Sequence, residues 1–283
     1  MMMRRISSLV LQIIFFFAVA AAQAGDSSGA SDGVFRKVYA GAVKSLAWYD
    51  VPIVAADAAE LLFVPANASG KPFNFPPTRL DTDFEPRVGV HGSRTFVGQV
   101  GEAGAAAFLG VRLLVNVGAD LAGADVTSED YHRTFWFYKS IVYTFSLTLL
   151  AKNLVDRVRP DGSDHQSFFS GHSSTAFCTA SYLSLELNDW YDRWEPTRKD
   201  PTLCSTLKIG SDVALYAGAA YVAYARMHDE KHYFSDVVTG AVVGTLVGTW
   251  MYRWHWSSEG TISPSISFLV IHHTPTLFYT ARF

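Results

Sequence analysis

Cysteine is scarce in this chain of 283 residues, which contains only Cys178 and Cys204. At most one disulfide can therefore form, and only if the protein reaches an oxidising compartment. Free buried thiols are the other outcome, because Cys178 lies in an apolar helical pattern, where cysteine behaves as a small hydrophobic residue. The sequence leaves both outcomes open.

An excess of positive charge is also missing. The formal net charge is −3, which gives no indication of the basic patches that nucleic-acid binding requires. Internal repeats at a fixed period are absent as well, so the chain lacks the signature of a repeat architecture. What remains is a chain long enough for one large domain with its own core.

Long uninterrupted apolar runs are few. The longest ones after the N-terminal region, 140–151 and 237–252, fall below or at the lower edge of the roughly 17–25 residues that a membrane-spanning helix needs. The sequence therefore favours a water-soluble or membrane-peripheral bundle. A bundle with several membrane spans is the alternative, since helices buried on all sides are similarly apolar.

The first 24 residues have the pattern of a secretory signal peptide. Arg4 and Arg5 precede an apolar run over 9–22 that only Gln12 interrupts, and the run ends in Ala22-Gln23-Ala24, with small residues on either side of Gln23. This pattern predicts cleavage after Ala24 and an exported, periplasmic protein with a flexible leader over 25–33. Cleavage would remove two basic and no acidic residues, so that the net charge becomes −5.

Apolar residues recur at helical spacing through most of the remaining chain. A surface loop is predicted over 65–90, where prolines lie among charged residues, and a polar loop over 188–202. After residue 260, apolar residues alternate with a period of two, which is typical of a β-hairpin. We therefore predict an all-α fold, a helical bundle of about six to seven helices over 34–260, with a C-terminal β-hairpin over 261–283 packed on it. The predicted helices are 34–48, 51–63, 96–118, 128–156, 172–188, 206–226 and 233–252.

Two cations and a proline mark the first chemical segment. Lys152 and Arg159 are seven residues apart, about two helical turns, so we expect them on one side of a single helix that Pro160 ends. Two converging cations make an anion clamp, and the planar guanidinium of Arg159 matches the geometry of phosphate oxygens. Taken alone, such a pair of cations is more often part of a solvated surface than of a binding site.

A second segment, Ser170, Gly171 and His172, immediately precedes an apolar helix. Ser170 or His172 would then lie in the first turn, where free backbone N–H groups and the helix dipole favour an anion. Gly171 permits close approach of the backbone. Taken alone, an ordinary serine cap followed by an uninvolved histidine is the simpler interpretation.

The third segment contains Arg226, His232 and Asp236. His232 and Asp236 are four residues apart, so on one helix the carboxylate accepts from one ring nitrogen and directs the other, neutral nitrogen toward a substrate. Arg226 lies beside them only if the polar stretch 227–231 breaks the helix and reverses the chain. His228 competes for this role, but of the two histidines only His232 has an acidic residue four positions later. A surface contact between histidine and aspartate is the alternative.

Small residues recur at steps of four from these positions. They permit close approach of helix backbones, and tight packing beneath a site holds distant segments in register. A general abundance of alanine and glycine is the alternative explanation. The residues are Thr144 and Thr148 before Lys152, Ala176 and Ala180 after His172, Gly218 before Arg226, and Gly240, Gly244 and Gly248 after Asp236.

Together, the three segments resemble the type 2 phosphatidic acid phosphatase superfamily, which includes secreted acid phosphatases, lipid phosphate phosphatases and vanadium haloperoxidases. The family pattern is Lys, six residues, Arg-Pro; then Pro-Ser-Gly-His; then Ser-Arg, five residues, His, three residues, Asp. Phe169 and Ala225 replace the proline and the serine of this pattern, and the lost hydroxyl affects only the expected setting of Arg226. The matching positions are Lys152, Arg159, Pro160, Ser170, Gly171, His172, Arg226, His232 and Asp236.

The resemblance implies a phosphatase that works through a phosphohistidine and needs no cofactor or metal. His232 would attack phosphorus, Asp236 would orient its ring, and His172 would protonate the leaving oxygen and then activate water. A vanadium-dependent haloperoxidase is the alternative, because vanadate has the shape of phosphate; the shorter chain and the short spacing between the first two motifs favour the phosphatase. The residues expected to hold the phosphate are Lys152, Arg159, Ser170, Gly171 and Arg226.

The expected substrate is a phosphorylated lipid or a small phosphate ester. A lipid phosphate fits the apolar helices and the aromatic tail, and it would entail peripheral or integral association with a membrane. A soluble phosphomonoester, as used by a non-specific acid phosphatase, fits the signal peptide and a mean hydropathy of +0.13. We favour the lipid.

Overall fold

The computed structural model describes residues 30–63, 68–89, 112–258, 265–271 and 274–280. The predicted signal peptide lies outside these residues, as does most of the predicted helix over 96–118. Within them the fold is all-α, as the sequence predicts. The helices are α1 (Ala30–Ser45), α2 (Asp50–Phe63), α3 (Arg79–Val88), α4 (112–121), α5 (Ser128–Leu154), α6 (Gly171–Arg193), α7 (Glu195–Lys199), α8 (Pro201–His228) and α9 (Phe234–Ser258).

Two small pairs of strands accompany the helices. β1 (Phe73–Asn74) pairs in parallel with β2 (Val155–Asp156), and β3 (Ser265–Ile271) pairs in antiparallel fashion with β4 (Thr274–Thr280). The second pair confirms the strand pairing of the predicted C-terminal hairpin. Its packing on the helical body stays a prediction.

Polar caps begin the long helices where the sequence breaks the apolar pattern. Thr127 and Asp130 form a capping box at the start of α5, in which the Thr127 N–H donates to Asp130 Oδ2 at 2.8 Å. Asp200 caps α8 by accepting from the backbone N–H groups of Thr202 and Leu203, both at 3.0 Å. These bonds satisfy N–H groups that have no partner inside the helix.

The core lies between α5, α6 and α9, and α8 packs on the other side of α6. Cys178 belongs to this core as a buried free thiol, and Cys204 is a partly exposed free thiol, so the two cysteines are not bridged in this structure. The Trp136 indole N–H donates to the Met251 carbonyl at 2.8 Å, which ties α5 to α9. The buried core side chains are Trp136, Phe137, Ile141, Cys178, Tyr182, Leu183, Val247, Met251 and Tyr252.

Three glycines of α9 bring its backbone against that of α6. A Cβ added at Gly240 would lie 2.6 Å from the Ser170 carbonyl oxygen, one at Gly244 2.0 Å from the Ser174 carbonyl oxygen, and one at Gly248 2.5 Å from that of Cys178. Only glycine fits at such separations. The predicted close approach is therefore confirmed for this helix pair, whereas a Cβ at Gly218 would meet no atom within 4 Å.

A helix lies where the sequence predicted a surface loop over 65–90. The Thr78 N–H and hydroxyl donate to Asp81 Oδ2 at 2.7 and 2.8 Å, and the Asp81 N–H returns to the threonine hydroxyl at 3.3 Å. This capping box begins α3. Its signal is present in the sequence as a threonine with an acidic residue three positions later, but the neighbouring prolines obscured it. Similarly, α7 lies within the predicted polar loop 188–202.

Helix α5 ends at Leu154, two residues earlier than predicted, and Arg159 does not lie on it. Val155 is extended, with φ −108° and ψ 120°, and β2 turns away to pair with β1, Phe73 opposite Val155. The prediction that Lys152 and Arg159 share one helix is therefore wrong. The strand partner of Val155 lies far away in the chain, so the spacing of residues near Val155 does not indicate it.

Within the described residues, one stretch, Phe234–Trp254 of α9, is long and apolar enough to cross a bilayer when judged by length and composition only. Core helices of soluble proteins meet the same criterion.

We expect the substitution Gly244→Ala to lower the free energy of unfolding by about 1–3 kcal/mol, because the new methyl group overlaps the Ser174 carbonyl. Thermal or denaturant unfolding measures this change. Gly218→Ala is the matched control: it adds the same group to a helix where nothing is near, and it should stabilise by up to about 1 kcal/mol. Equal stabilities of the two variants would contradict the close contact of α6 and α9.

Candidate active site

The predicted site residues lie at the ends of the helices rather than along them. Lys152 lies in the last turn of α5 and Arg226 in the last turn of α8, while Asp236 lies in the first turn of α9. Arg159 follows β2, and His232 precedes α9. Ser170 is the N-cap of α6, and Gly171 and His172 are its first two residues, which confirms the helix start that the sequence predicts there.

The ends of α6 and α9 meet directly. The Ser170 N–H donates to the Asp236 carbonyl at 3.1 Å, and the Ser173 hydroxyl donates to the Val237 carbonyl at 2.7 Å. Ser170 is fully buried and caps α6 through the Ser173 N–H at 3.4 Å. The first turn of α6, with His172, therefore lies beside the turn that carries Asp236.

The chain reverses between α8 and α9 as the sequence predicts. α8 continues to His228, and the backbone N–H groups of Lys231 and His232 then donate back to the Arg226 carbonyl at 3.0 and 3.3 Å. Glu230 takes a left-handed backbone conformation, φ 51°, within this turn. The reversal brings Arg226, which is 1% exposed, next to His232.

His232 is buried with one ring nitrogen satisfied and the other facing a cation. Nδ1 lies 2.7 Å from the Ser167 carbonyl oxygen, and Nε2 lies 3.4 Å from Arg159 Nη1. A carbonyl only accepts and a guanidinium only donates, so the contacts assign the proton to Nδ1 and the lone pair to Nε2. His228, the alternative histidine, lies instead at the end of α8 with Nδ1 3.4 Å from Asp229 Oδ1.

Asp236 does not bond to the histidine ring directly. Its Oδ2 lies 3.8 Å from His232 Nδ1, beyond hydrogen-bond range, and His232 lies before α9 rather than on the same helix. The predicted direct bond is therefore wrong. Ser167 lies between the two side chains: its hydroxyl donates to Asp236 Oδ2 at 2.5 Å, and its backbone carbonyl accepts from His232 Nδ1. The Tyr233 N–H also donates to Asp236 Oδ2, at 3.0 Å.

Arg157 is a part of the site that the sequence reasoning missed. Its Nη1 lies 2.9 Å from Asp236 Oδ1 and its Nη2 lies 2.7 Å from Asp81 Oδ2. Asp81 also accepts from the Ser235 N–H and hydroxyl at 2.8 and 2.9 Å. Helix α3 is thereby attached to the start of α9. The position of Arg157 within the first motif is variable in the family pattern, so no motif pointed to it.

Two further cations are held in place by groups that accept hydrogen bonds. Arg159 Nε donates to Asp164 Oδ1 at 2.7 Å, and its Nη1 donates to the Lys231 carbonyl at 2.9 Å. Lys152 Nζ donates to the Gln166 carbonyl. The predicted clamp therefore exists in space, although its two members come from different elements.

The charges around His232 favour a neutral ring. Burial lowers the pKa of His232 well below its usual value, and the positive charges of Arg159, Lys152 and Arg226 lower it further. Burial together with the charge of Arg159 also lowers the pKa of Lys152 to about 7. A neutral imidazole whose Nε2 lone pair faces Arg159, within the field of two further cations, suits an anion with an electrophilic centre.

A small groove reaches His232 from the side of α3. Its walls are mainly apolar, and Phe84 of α3 stacks on Phe234 of α9 with ring centroids 4.6 Å apart. Across the described ranges, no group of three or more His, Cys, Asp or Glu side chains is arranged to hold a metal ion. The groove is lined by Asp81, Phe84, Val88, Pro160, Met227, His232, Tyr233 and Phe234.

Comparison with known proteins finds similarity to one family over the segment that contains these motifs. Residues 133–259 match the model of the PAP2 superfamily, the phosphatase superfamily that the three motifs resemble. Over 90 residues the chain is 34% identical to a lipid A 1-phosphatase of Porphyromonas gingivalis, a match that covers 31% of this chain and 16% of that protein. No solved structure matches the chain.

Phosphate binding at pH 8 is expected to take up protons at Lys152. With a pKa of about 7, Lys152 is about 90% neutral at that pH, and an adjacent anion favours its charged form. Calorimetric titration with saturating inorganic phosphate, in buffers of different ionisation enthalpy, measures the uptake. Lys152→Met should remove most of it. Lys208→Met, which removes an ion pair with Asp192 at 2.6 Å, is the control and should leave it unchanged; equal uptake in both variants would contradict the assignment.

Proposed function

We propose that this chain, in which residues 133–259 form a PAP2 superfamily domain, is a phosphatase that transfers the phosphoryl group of a lipid phosphate or pyrophosphate through His232 to water. The observation that carries the proposal is the lone pair on Nε2 of a buried, neutral histidine, 3.4 Å from Arg159 and within the field of Lys152 and Arg226. A nucleophile in such a ring of positive charge meets a phosphate with its oxygens already held.

In the first step, Nε2 of His232 forms a bond to phosphorus while the bond from phosphorus to the leaving oxygen breaks. His172 gives its proton to that oxygen. The ring of His232 becomes cationic, and the Ser167 carbonyl and the carboxylate of Asp236, 3.8 Å away, stabilise the charge. In the second step His172 takes a proton from water, which attacks phosphorus and releases His232.

The phosphoryl oxygens lie among fixed donors throughout. Lys152, Arg159 and Arg226 supply positive charge. The start of α6 supplies Ser170 and the Gly171 N–H. Phosphoryl transfer requires positioning and electrostatic stabilisation more than covalent machinery, and donors fixed by bonds such as Arg159 to Asp164 need little reorganisation as charge moves among the oxygens.

A phosphorylated lipid is the substrate class that we favour. The matched relative is named for its action on lipid A, although the chain spans only 16% of its length. The groove beside His232 is mainly apolar, which suits a substrate with hydrocarbon next to its phosphate. A small polar phosphate ester would gain less from such walls.

Exposed apolar side chains support contact with a lipid surface. On α9, Val238, Val242, Leu246 and Trp250 are 43–63% exposed and follow one another at steps of four residues, which places them along one face of the helix. A continuous apolar stripe of this kind is typical of surfaces that contact a membrane or another protein. We propose that the protein works on the periplasmic side and touches the membrane at this stripe.

His232→Ala should abolish turnover and leave the fold intact, because the nucleophile is lost. His228→Ala, a histidine outside the cationic cluster, is the matched control and should keep activity. Phosphate release measures turnover, and circular dichroism measures folding. Near wild-type activity of His232→Ala would overturn the mechanism, as would failure of labelled substrate to leave an alkali-stable phosphoprotein in the wild type.

The pH–rate profile should be bell-shaped, because His232 must be neutral while His172 is protonated. The pKa of His232 lies well below its usual value, so its neutral form persists into acid and we expect activity to remain high below pH 6.5. Activity should fall at high pH as His172 loses its proton. A profile that declines with acid through the usual histidine range would contradict the depressed pKa.

Substrate class is tested by phosphate release from a panel of lipid A, phosphatidic acid, a polyprenyl pyrophosphate and a soluble phosphomonoester. We expect faster release from the lipids at equal concentration of phosphate. Leu246→Gln should slow release from lipid vesicles and leave the soluble ester unaffected, since position 246 is far along α9 from the site. A preference for the soluble ester would identify a non-specific acid phosphatase instead.

A further inference from the structure

The buried guanidinium of Arg157 connects the candidate active site to helix α3. This helix lies outside the segment that matches the family model. Arg157 is 4% exposed, and its two terminal nitrogens form ion pairs with two different carboxylates. Nη1 lies 2.9 Å from Asp236 Oδ1, and Nη2 lies 2.7 Å from Asp81 Oδ2. Both carboxylates are buried as well, at 0% and 1% exposure. The three charges form a continuous row from α3 to the start of α9.

This row is fixed from several sides. The Arg157 guanidinium lies over the Tyr233 ring, 4.7 Å from its centroid, and Nη1 donates to the Ser235 hydroxyl at 3.0 Å. Ser235 in turn donates to Asp81. Apolar residues replace buried ion pairs without loss of stability in many proteins, so stability alone does not explain why this chain buries an arginine between two carboxylates beside its nucleophile.

The row continues to His232 through Ser167. The Ser167 hydroxyl donates to Asp236 Oδ2 at 2.5 Å, and the Ser167 carbonyl accepts from His232 Nδ1 at 2.7 Å. Arg157 Nη1 lies 2.9 Å from the other oxygen of Asp236, Oδ1, an ion pair without hydrogen-bond geometry, so charged or polar groups contact both edges of the carboxylate.

We propose that Arg157 is a positioning residue for His232: it holds Asp236 ionised and oriented toward Ser167 and the histidine ring, and Asp81 of α3 holds Arg157 in place. The proposal rests on the proposed role of His232 as the nucleophile. Arg157 itself binds carboxylates rather than phosphate, so it acts on the reaction only through Asp236.

The groups that face Asp236 determine how the loss of Arg157 changes the pKa of this carboxylate. They are Arg157 after β2, Lys152 of α5, His232, the Ser167 hydroxyl and the Tyr233 N–H. Burial raises the pKa of Asp236, and Arg157 is the foremost of the groups that oppose this rise. Without Arg157 the pKa rises further, so the carboxylate is neutral up to a higher pH and does not stabilise the histidine cation there.

Arg157→Gln should therefore lower kcat by about 10- to 100-fold, as a small misplacement of a catalytic group does, and change KM by less than about threefold, because substrate contacts remain. The acid limb of the pH–rate profile should move up by about one pH unit or more. Arg157→Lys keeps the positive charge and should retain the wild-type acid limb. These values come from steady-state phosphate release on the wild-type protein's preferred lipid substrate.

The matched control is Glu186→Gln, which breaks another partly buried ion pair, that of Arg112 with Glu186 at 2.5 Å, between α4 and α6. It should lower the melting temperature and leave both kcat and the acid limb at wild-type values. An unmoved acid limb in Arg157→Gln, or an equal shift in Glu186→Gln, would show that Arg157 is structural only and overturn the proposal.

A measurement without substrate separates this inference from the proposed function. Infrared titration follows the C=O band of protonated Asp236, identified as the band that Asp236→Asn removes. In Arg157→Gln the band should appear at a higher pH than in the wild type, and in Glu186→Gln at the same pH. If the wild type releases no phosphate from any substrate, the proposed function is wrong while the infrared result still decides whether Arg157 keeps Asp236 ionised.

Discussion

The backbone contact between α6 and α9 is the constraint on which the site depends. At Gly244 a single methyl group would lie 2.0 Å from the Ser174 carbonyl oxygen, so the two helices are as close as their main chains allow. At the end of the same interface Ser170 donates its N–H to the carbonyl of Asp236. Two helix starts therefore meet, and each brings a histidine with it: His172 within α6, and the histidine just before α9.

The electrostatics of the candidate site are unfavourable in the free protein. Lys152, Arg159 and Arg226 converge on a buried ring, which depresses the pKa of His232 and lowers that of Lys152 to about 7. A bound phosphate would relieve the repulsion among these like charges. Strained electrostatics at a functional site, offset by good packing elsewhere, is the usual relation between stability and activity. Here the packing is supplied by the aromatic core between α5, α6 and α9.

The candidate site residues could be proposed from the sequence because their spacing matches a family pattern and is tied to local structure. The start of α6 follows from a serine cap before an apolar run, and the reversal after Arg226 follows from a polar stretch between two helices. The link between His232 and Asp236 was found only in part, since Ser167 stands between them. Ser167 lies in a loop, where hydrogen-bond partners depend on the path of the chain and not on any period. The same holds for Arg157.

The sequence by itself determined the all-α class, the main helices and the C-terminal strand pair, because helical period, caps and alternation are properties of neighbouring residues, and its motif spacing supplied the candidate site residues. Tertiary structure alone decided that α5 ends before Arg159 and that α3 replaces a predicted loop. It also decided that Arg157 forms ion pairs with both Asp81 and Asp236. Those features depend on β1 meeting β2 and on buried charges finding partners, and both join residues that lie far apart in the chain.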